Sequence, residues 1–139
     1  MLQGEFHHTV DAKGRFFFPT QLREEIGNDP VICRGYEKNL MIFSREEWNR
    51  FADKIASLPL RDSRAMTLRF ITRSGPAAVD AQGRMLVPQQ MREFAGISKN
   101  IVIAGAQNAI ELWDEAAWNA KMELLDEEDA LSVFERNGL

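Results

Sequence analysis

Two short segments carry the residues of this chain best suited to holding an anion. Lys13 and Arg15 flank Gly14 in Val10-Asp11-Ala12-Lys13-Gly14-Arg15, and Gln82 and Arg84 flank Gly83 in Val79-Asp80-Ala81-Gln82-Gly83-Arg84. A guanidinium is planar and permanently charged. Its fork of N–H donors matches phosphate oxygens or the O6/N7 edge of guanine, where one bidentate contact contributes about 1–3 kcal/mol of discrimination. A lysine at a turn tip offers a point charge to phosphate and carries no sequence information. Lys13, Arg15 and Arg84 are therefore the candidate anion-binding residues, with Gln82 at the place of Lys13 in the second copy. The competing role for each arginine is to pair with the aspartate four residues earlier, Asp11 or Asp80, and hold the turn. The basic tip at Lys13 favours DNA contact for Arg15, whereas for Arg84 the two roles are evenly matched.

Other chemistry has little support. No nucleophile and base can be paired, no glycine-rich loop could cradle a phosphate, and no metal-ligand spacing occurs, so neither an enzyme nor a cofactor is expected. His7 and His8 are adjacent on an expected strand and point to opposite faces, which precludes joint chelation. Arg23 and Arg92 stand beside Glu24 and Glu93 and read as solvated helix faces or subunit salt bridges. Arg64, Arg69 and Arg73 read as a solvated face, and Trp48 and Trp118 as core or interface anchors.

The two segments belong to a longer duplicated frame, D-x-x-G-R-x-x-x-P-x-x-x-R-E. Asp11, Gly14, Arg15, Pro19, Arg23 and Glu24 recur 69 positions later as Asp80, Gly83, Arg84, Pro88, Arg92 and Glu93. Asp and Gly occupy the first and fourth places of a type I turn, with the glycine left-handed, so Asp11, Gly14, Asp80 and Gly83 are the structural turn residues. A strand from Gly4 to Val10 leads into the first turn and Phe16-Phe17-Phe18 leaves it; Ala77 to Asp80 and Met85-Leu86-Val87 do the same in the second copy. Pro19 and Pro88 open short helices that Gly27 and Gly96 end. Strands follow at Val31 to Arg34 and Leu40 to Phe43, repeated as Ile101 to Ala104 and Ile110 to Trp113. Ser44 with Glu47 forms a capping box, and Asp114 caps the equivalent helix.

The expected organisation is a first repeat at 1–60, a connecting helix within 61–76 covering Ser63 to Arg73, a second repeat at 77–125 and an acidic tail at 126–139 that frays. At 139 residues and 45% apolar content this is one globular domain. The single cysteine, Cys33, fits a reducing compartment and a buried strand thiol. No apolar run approaches the roughly 18 residues a membrane span needs. The net charge of −4 is unevenly spread: residues 1–110 hold 15 Lys and Arg against 12 Asp and Glu, while residues 111–139 hold 2 against 9. The duplicated part is thus mildly basic and the C-terminal end strongly acidic.

The two D-x-x-G-R turns, the Pro and Arg that follow each, the start Met1-Leu2-Gln3-Gly4-Glu5-Phe6, and Glu111-Leu112-Trp113-Asp114 together resemble the AbrB-like swapped-hairpin family, in the branch associated with the bacterial division and cell-wall gene cluster. The resemblance implies an α+β, mostly β fold, a swapped-hairpin β barrel formed by two internal repeats in one chain with flanking helices. It further implies a ring-shaped homo-oligomer, octameric or dodecameric, cytoplasmic and nucleoid-associated, that binds double-stranded DNA at short promoter direct repeats through Lys13, Arg15, Arg84 and Gln82 and represses its own operon. The alternative is a protein-interaction module that regulates a partner enzyme without reading DNA.

Overall fold

The apolar runs become strands because their backbone groups can leave water only by pairing with one another. The computed structural model describes residues 1–139. In chain order the elements are β1 (Leu2–Thr9), β2 (Arg15–Phe17), α1 (Thr20–Ile26), β3 (Val31–Arg34), β4 (Leu40–Phe43), α2 (Arg45–Ala56) and α3 (Leu60–Met66). A π-helical segment, Thr67–Ile71, continues α3 directly and is followed by β5 (Gly75–Pro76), β6 (Arg84–Leu86), α4 (Gln89–Ala95), β7 (Asn100–Gln107), β8 (Ile110–Asp114), α5 (Glu115–Asp126) and α6 (Ala130–Arg136). The fold is mixed, with six helices on mostly antiparallel sheet.

Six strands form one sheet in the order β1-β7-β8-β4-β3-β5, and β2 and β6 form a separate two-stranded ribbon. The register reflects the duplication. In the ribbon Phe16 faces Met85, the same position of the two copies, with Arg15 opposite Leu86 and Phe17 opposite Arg84. In the sheet Met41 faces Glu111, again equivalent positions. An antiparallel pair centred on equivalent residues is a local twofold, so two such pairs place a pseudo-dyad through ribbon and sheet. The copies also trade strands: β1 of the first pairs with β7 of the second, and β5 pairs back onto β3.

Alternation along β3 and β4 divides the interior. Ile32, Leu40 and Ile42 join an 18-residue core with Phe16, Phe18, Met85, Val87, Leu22 and Ala95. Val31, Cys33, Met41 and Phe43 face the other way, onto Trp48 and Phe51 of α2. Cys33 is fully buried, and loss of hydration pushes its thiol up to about 12, as expected of an inert strand thiol. Asn39, also buried, donates to Glu111 at 2.8 Å, and that carboxylate accepts from Trp113 Nε1 at 3.0 Å. Ser44 caps α2 by accepting from the Glu47 N–H at 3.1 Å, and Asp114 caps α5 at 3.2 Å.

Several elements differ from the sequence reading. The hydrogen bonding does not close into a barrel, because the sheet ends at β1 and β5 and the ribbon is separate. The second lead-in strand, expected at Ala77 to Asp80, does not form: the strand β5 lies just before it at Gly75–Pro76, and Val79 makes one isolated bridge to Met85. The residues Gly75-Pro76-Ala77-Ala78 are poor strand formers, and Pro76 lacks an N–H for the ladder. The connecting helix begins earlier, at Leu60 behind Pro59, and widens to π geometry closed by Thr72 N–H to Thr67 O at 3.1 Å. That extra residue in the turn seats Phe70 against Phe51 and Tyr36 at centroid distances of 5.5 and 5.7 Å. The tail, expected to fray, forms α6, capped by Asp129, which accepts from Leu131 N–H at 3.1 Å and Ser132 Oγ at 2.7 Å. No helix is long and apolar enough to cross a membrane.

The ribbon register makes a contrast testable. Phe16 is 1% exposed and Phe17 59% exposed. Phe16→Ala should cost about 3–5 kcal/mol in urea unfolding, and Phe17→Ala no more than about 0.5 kcal/mol. Similar losses from the two would mean that the register is wrong.

Candidate nucleic-acid interface

Each turn is assembled by its aspartate. Asp11 Oδ1 accepts from the backbone N–H of Lys13 at 3.0 Å and of Arg15 at 2.9 Å, and Asp80 Oδ1 accepts from Gln82 and Arg84, both at 2.9 Å. Gly14 N–H returns to Asp11 O at 2.9 Å and Gly83 N–H to Asp80 O at 3.0 Å. Both glycines are left-handed, at φ 89° and 81°, where an L side chain is strained. The second aspartate oxygen takes the arginine Nε, at 2.8 Å from Arg15 and 3.1 Å from Arg84. The Arg15 backbone N–H, then its guanidinium, holds the Asp11 carboxyl below the usual carboxylate range; Asp80 is lowered in the same way by Arg84.

Both roles considered for the arginines are therefore compatible. The aspartate engages only Nε, which orients the guanidinium and leaves its two terminal nitrogens without a partner in the chain. Arg15 and Arg84 also share the outer face of the ribbon, since the residues between them, Phe16 and Met85, point inward. Their register makes them diagonal neighbours, about 7–8 Å apart at Cα. Phe17 and Leu86, opposite them, are exposed on the same face. Lys13 and Gln82 stand exposed at the two tips.

The turns are stitched together crosswise. The Gly14 carbonyl accepts from Val87 N–H at 2.8 Å and the Gly83 carbonyl from Phe18 N–H at 2.9 Å, so each turn is tied to the exit strand of the other copy. The helix arginines cross in the same sense. Arg92 of α4 lies over the first turn, where a Cβ on Gly14 would stand 2.7 Å from its Cζ; the Nη1 of Arg23 in α1 comes within 3.7 Å of a Cβ on Gly83. Neither arginine forms an ion pair within the chain.

Sequence spacing missed Arg23 and Arg92, because their neighbours in space come from the other repeat. The crossed arrangement also enlarges the charge difference between the tips. Lys99, whose carbonyl accepts from Val10 N–H at 2.8 Å, stands beside the first turn. The position equivalent to Lys99 is Asp29, which pairs with Arg45 at 3.1 Å. The first tip thus gathers Lys13, Arg15 and Arg92, with the Lys99 backbone beside it, and the second only Arg84 and Arg23.

The remaining candidates lie elsewhere. His7 binds two carboxylates through different ring nitrogens, Glu5 at 2.7 Å and Glu115 at 3.3 Å, and these bonds raise its pKa. Trp48 is buried beside Phe43 and Phe51, and Trp118 packs edge-on against Trp113 at 5.9 Å.

Comparison with known proteins gives a consistent result. The MraZ protein family, described as antitoxin-like, matches residues 1–71 and 76–137. A protein of Acetivibrio thermocellus named transcriptional regulator MraZ is 38% identical over 122 residues, spanning 86% of this chain and 85% of its own. One of Caldicellulosiruptor bescii with the same name is 41% identical over 124 residues, spanning 88% and 87%. Among solved structures, the solution structure of PHS018 from Pyrococcus horikoshii aligns with 81% of this chain and 88% of that chain at a TM-score of 0.31 and 16% identity, too loose a match to bear on the fold.

Two outcomes check the turn geometry. A Cβ on Gly14 would also press within 2.7 Å of the Val87 carbonyl oxygen, whereas one on Gly83 meets only Arg23. Gly83→Ala should therefore cost about 1–2 kcal/mol for its left-handed backbone, and Gly14→Ala measurably more by the same denaturation assay. The second concerns pH. Because the Asp11 pKa is lower folded than unfolded, its stabilisation is complete above the ordinary value of about 3.9 and fades as pH falls through the depressed value. The stability difference between wild type and Asp11→Asn should shrink over that acidic range and stay constant between pH 5 and 8.

Proposed function

The chain belongs to the MraZ family, and on that premise we propose that it is a sequence-specific DNA-binding transcriptional regulator that reads DNA with the paired turns. The observation that carries this reading is the shared ribbon face, where Arg15 and Arg84 stand as diagonal neighbours, each held at Nε by its own aspartate. A two-stranded ribbon is narrow enough for the major groove, where arginine forks reach guanine. Lys13, Arg92 and Lys99 supply phosphate contacts at the first tip, and Gln82, Arg84 and Arg23 form the lesser set at the second. Exposed Phe17 and Leu86 offer apolar surface to thymine methyl groups.

One subunit offers few cations, so useful affinity demands several subunits on repeated sites; linked binding can add about 10²–10⁴-fold without new contacts. A ring-shaped homo-oligomer on short direct repeats, repressing its own division and cell-wall operon, meets that demand. In this reading the chain works in the cytoplasm at the nucleoid. The barrel of the swapped-hairpin family corresponds to the ribbon packed on the strand-exchanged sheet, with repeats at 1–60 and 77–125 joined by 61–76 and followed by 126–139.

A mobility-shift titration on the DNA upstream of the chain's own gene tests the reading. Binding should weaken steeply with salt as counterions are released. Arg15→Ala should weaken it tenfold or more, an effect of about 1–3 kcal/mol, and Arg84→Ala by less. Lys13→Ala should flatten the salt dependence and leave sequence preference intact. Equal losses at the two arginines would make the turns functional equals, and no retardation at low salt would remove the DNA-binding reading altogether.

A further inference from the structure

The two turns are built alike, but the arginines laid over them are not. Arg92 folds down onto the first turn: it is half-buried, Gly14 beneath it is buried, and a Cβ there would stand 2.7 Å from the Arg92 Cζ. Arg23 is exposed and stands off the second turn, its Nη1 3.7 Å from a Cβ on Gly83, which is only half-buried. A cavity of about 490 Å³ opens there.

Its wall draws on both copies. The second copy contributes Gln82 and Gly83 from the turn, and the first contributes His8, Phe17, Thr20 and Arg23. Four of these side chains can donate hydrogen bonds: a guanidinium, an amide, a hydroxyl and an imidazole. None of the four is engaged elsewhere in the chain, and the carboxylate of the turn, Asp80, is committed to the Gln82 and Arg84 N–H groups and to the Arg84 Nε. No carboxylate lines this cavity, in contrast to the one at the end of α1, which holds Asp29, and the one beside α2, which holds Glu47 and Glu111. Donors gathered around a cation without an acid suit an oxyanion. The first turn has no match, since Ala77 stands at the position equivalent to His8 and Leu86 at that of Phe17.

We propose that this cavity binds a phosphate ester, with Arg23 as its charge partner, Thr20, Gln82 and His8 as further donors, and the Phe17 ring against the attached sugar or base. The guanidinium fork matches phosphate oxygens, and stacking on an aromatic ring tolerates any base. The ester comes either from the backbone of bound DNA or from a free nucleotide. In the first case the proposal rests on the DNA-binding reading and deepens it: the second turn, with Gln82 in place of Lys13, grips the strand in a recess instead of at a lysine tip. In the second case the nucleotide covers Phe17 and Gln82, and so competes with DNA for the ribbon.

Titration calorimetry on the full-length chain with adenosine monophosphate and with adenosine, beside mobility shifts on the upstream DNA, separates the two sources. Arg23→Ala removes the charge partner, and Arg64→Ala, on α3, removes the same charge at a distance. Both positions are exposed, so the unfolding midpoint should stay close to wild type. For a free nucleotide, adenosine monophosphate should bind wild type and Arg64→Ala alike and Arg23→Ala about tenfold more weakly, as loss of a charge-assisted contact requires; adenosine should not bind. For a DNA phosphate, neither free probe gives heat, whereas Arg23→Ala lowers the salt slope of DNA binding by about one unit and Arg64→Ala leaves it unchanged. Nucleotide binding that survives Arg23→Ala, or that adenosine reproduces, overturns the proposal. So does the absence of both the nucleotide heat and the slope change at Arg23. A chain that retards no DNA yet binds adenosine monophosphate through Arg23 loses the DNA-binding reading and keeps this site.

Discussion

The structure depends most on the short antiparallel contact between β2 and β6 and its two flanking hydrogen bonds, Gly14 O to Val87 N–H and Gly83 O to Phe18 N–H. A two-stranded ribbon is marginal in isolation. This one is held because its inward residues are deeply buried: Phe16 and Met85 at the pseudo-dyad, and Phe18 and Val87 just beyond it. The same burial fixes which residues point outward. A one-residue slip would turn Arg15 and Arg84 into the core and bring Phe16 to the surface. Core packing and arginine presentation are thus two sides of one register, which makes the ribbon both the centre of the fold and the platform of the site.

Carrying both copies on one chain has a physical consequence that two identical chains could not have. The backbone scaffold stays symmetric, as the matched aspartate bonds at 2.9–3.0 Å and the matched glycine φ values of 89° and 81° attest. The side chains, freed from strict symmetry, diverge. Lys13 is answered by Gln82, Lys99 by Asp29, Phe17 by Leu86 and buried Asn39 by Ala109. The exposed changes alter charge or apolar bulk without touching the core. The Asn39 pair is the exception, but Asn39 finds Glu111 as a partner and so leaves no buried polar group unsatisfied.

What the sequence made legible follows from how far each determinant reaches. The Asp-x-x-Gly-Arg turns could be read because the hydrogen bonds of their aspartates lie within five residues, and the caps at Ser44 and Asp114 for the same reason. The strands were legible as apolar runs, but the partners of β1 and β5 lie in the opposite repeat. That exchange hid where Arg23 and Arg92 sit, each beside the turn of the opposite copy. The π-helical turn was hidden too. It arises because Phe70 must reach the aromatic group around Phe51, a tertiary demand that overrides a regular helical spacing. The folded tail was missed because its acidic composition outweighed a local signal that was present, Asp129 three residues before Ser132.

The net charge of −4 is a poor guide to partners, since the charges are segregated by element. The excess acid sits in residues 111–139, with nine acidic residues against two basic, whereas the first turn has cations from three places in sequence near it: the loop at Lys13, α4 at Arg92 and the lead to β7 at Lys99. Screening confines exposed charges to a range of about 8–10 Å in physiological salt, so a polyanion brought to the ribbon would meet the tip cations rather than the sum over the chain.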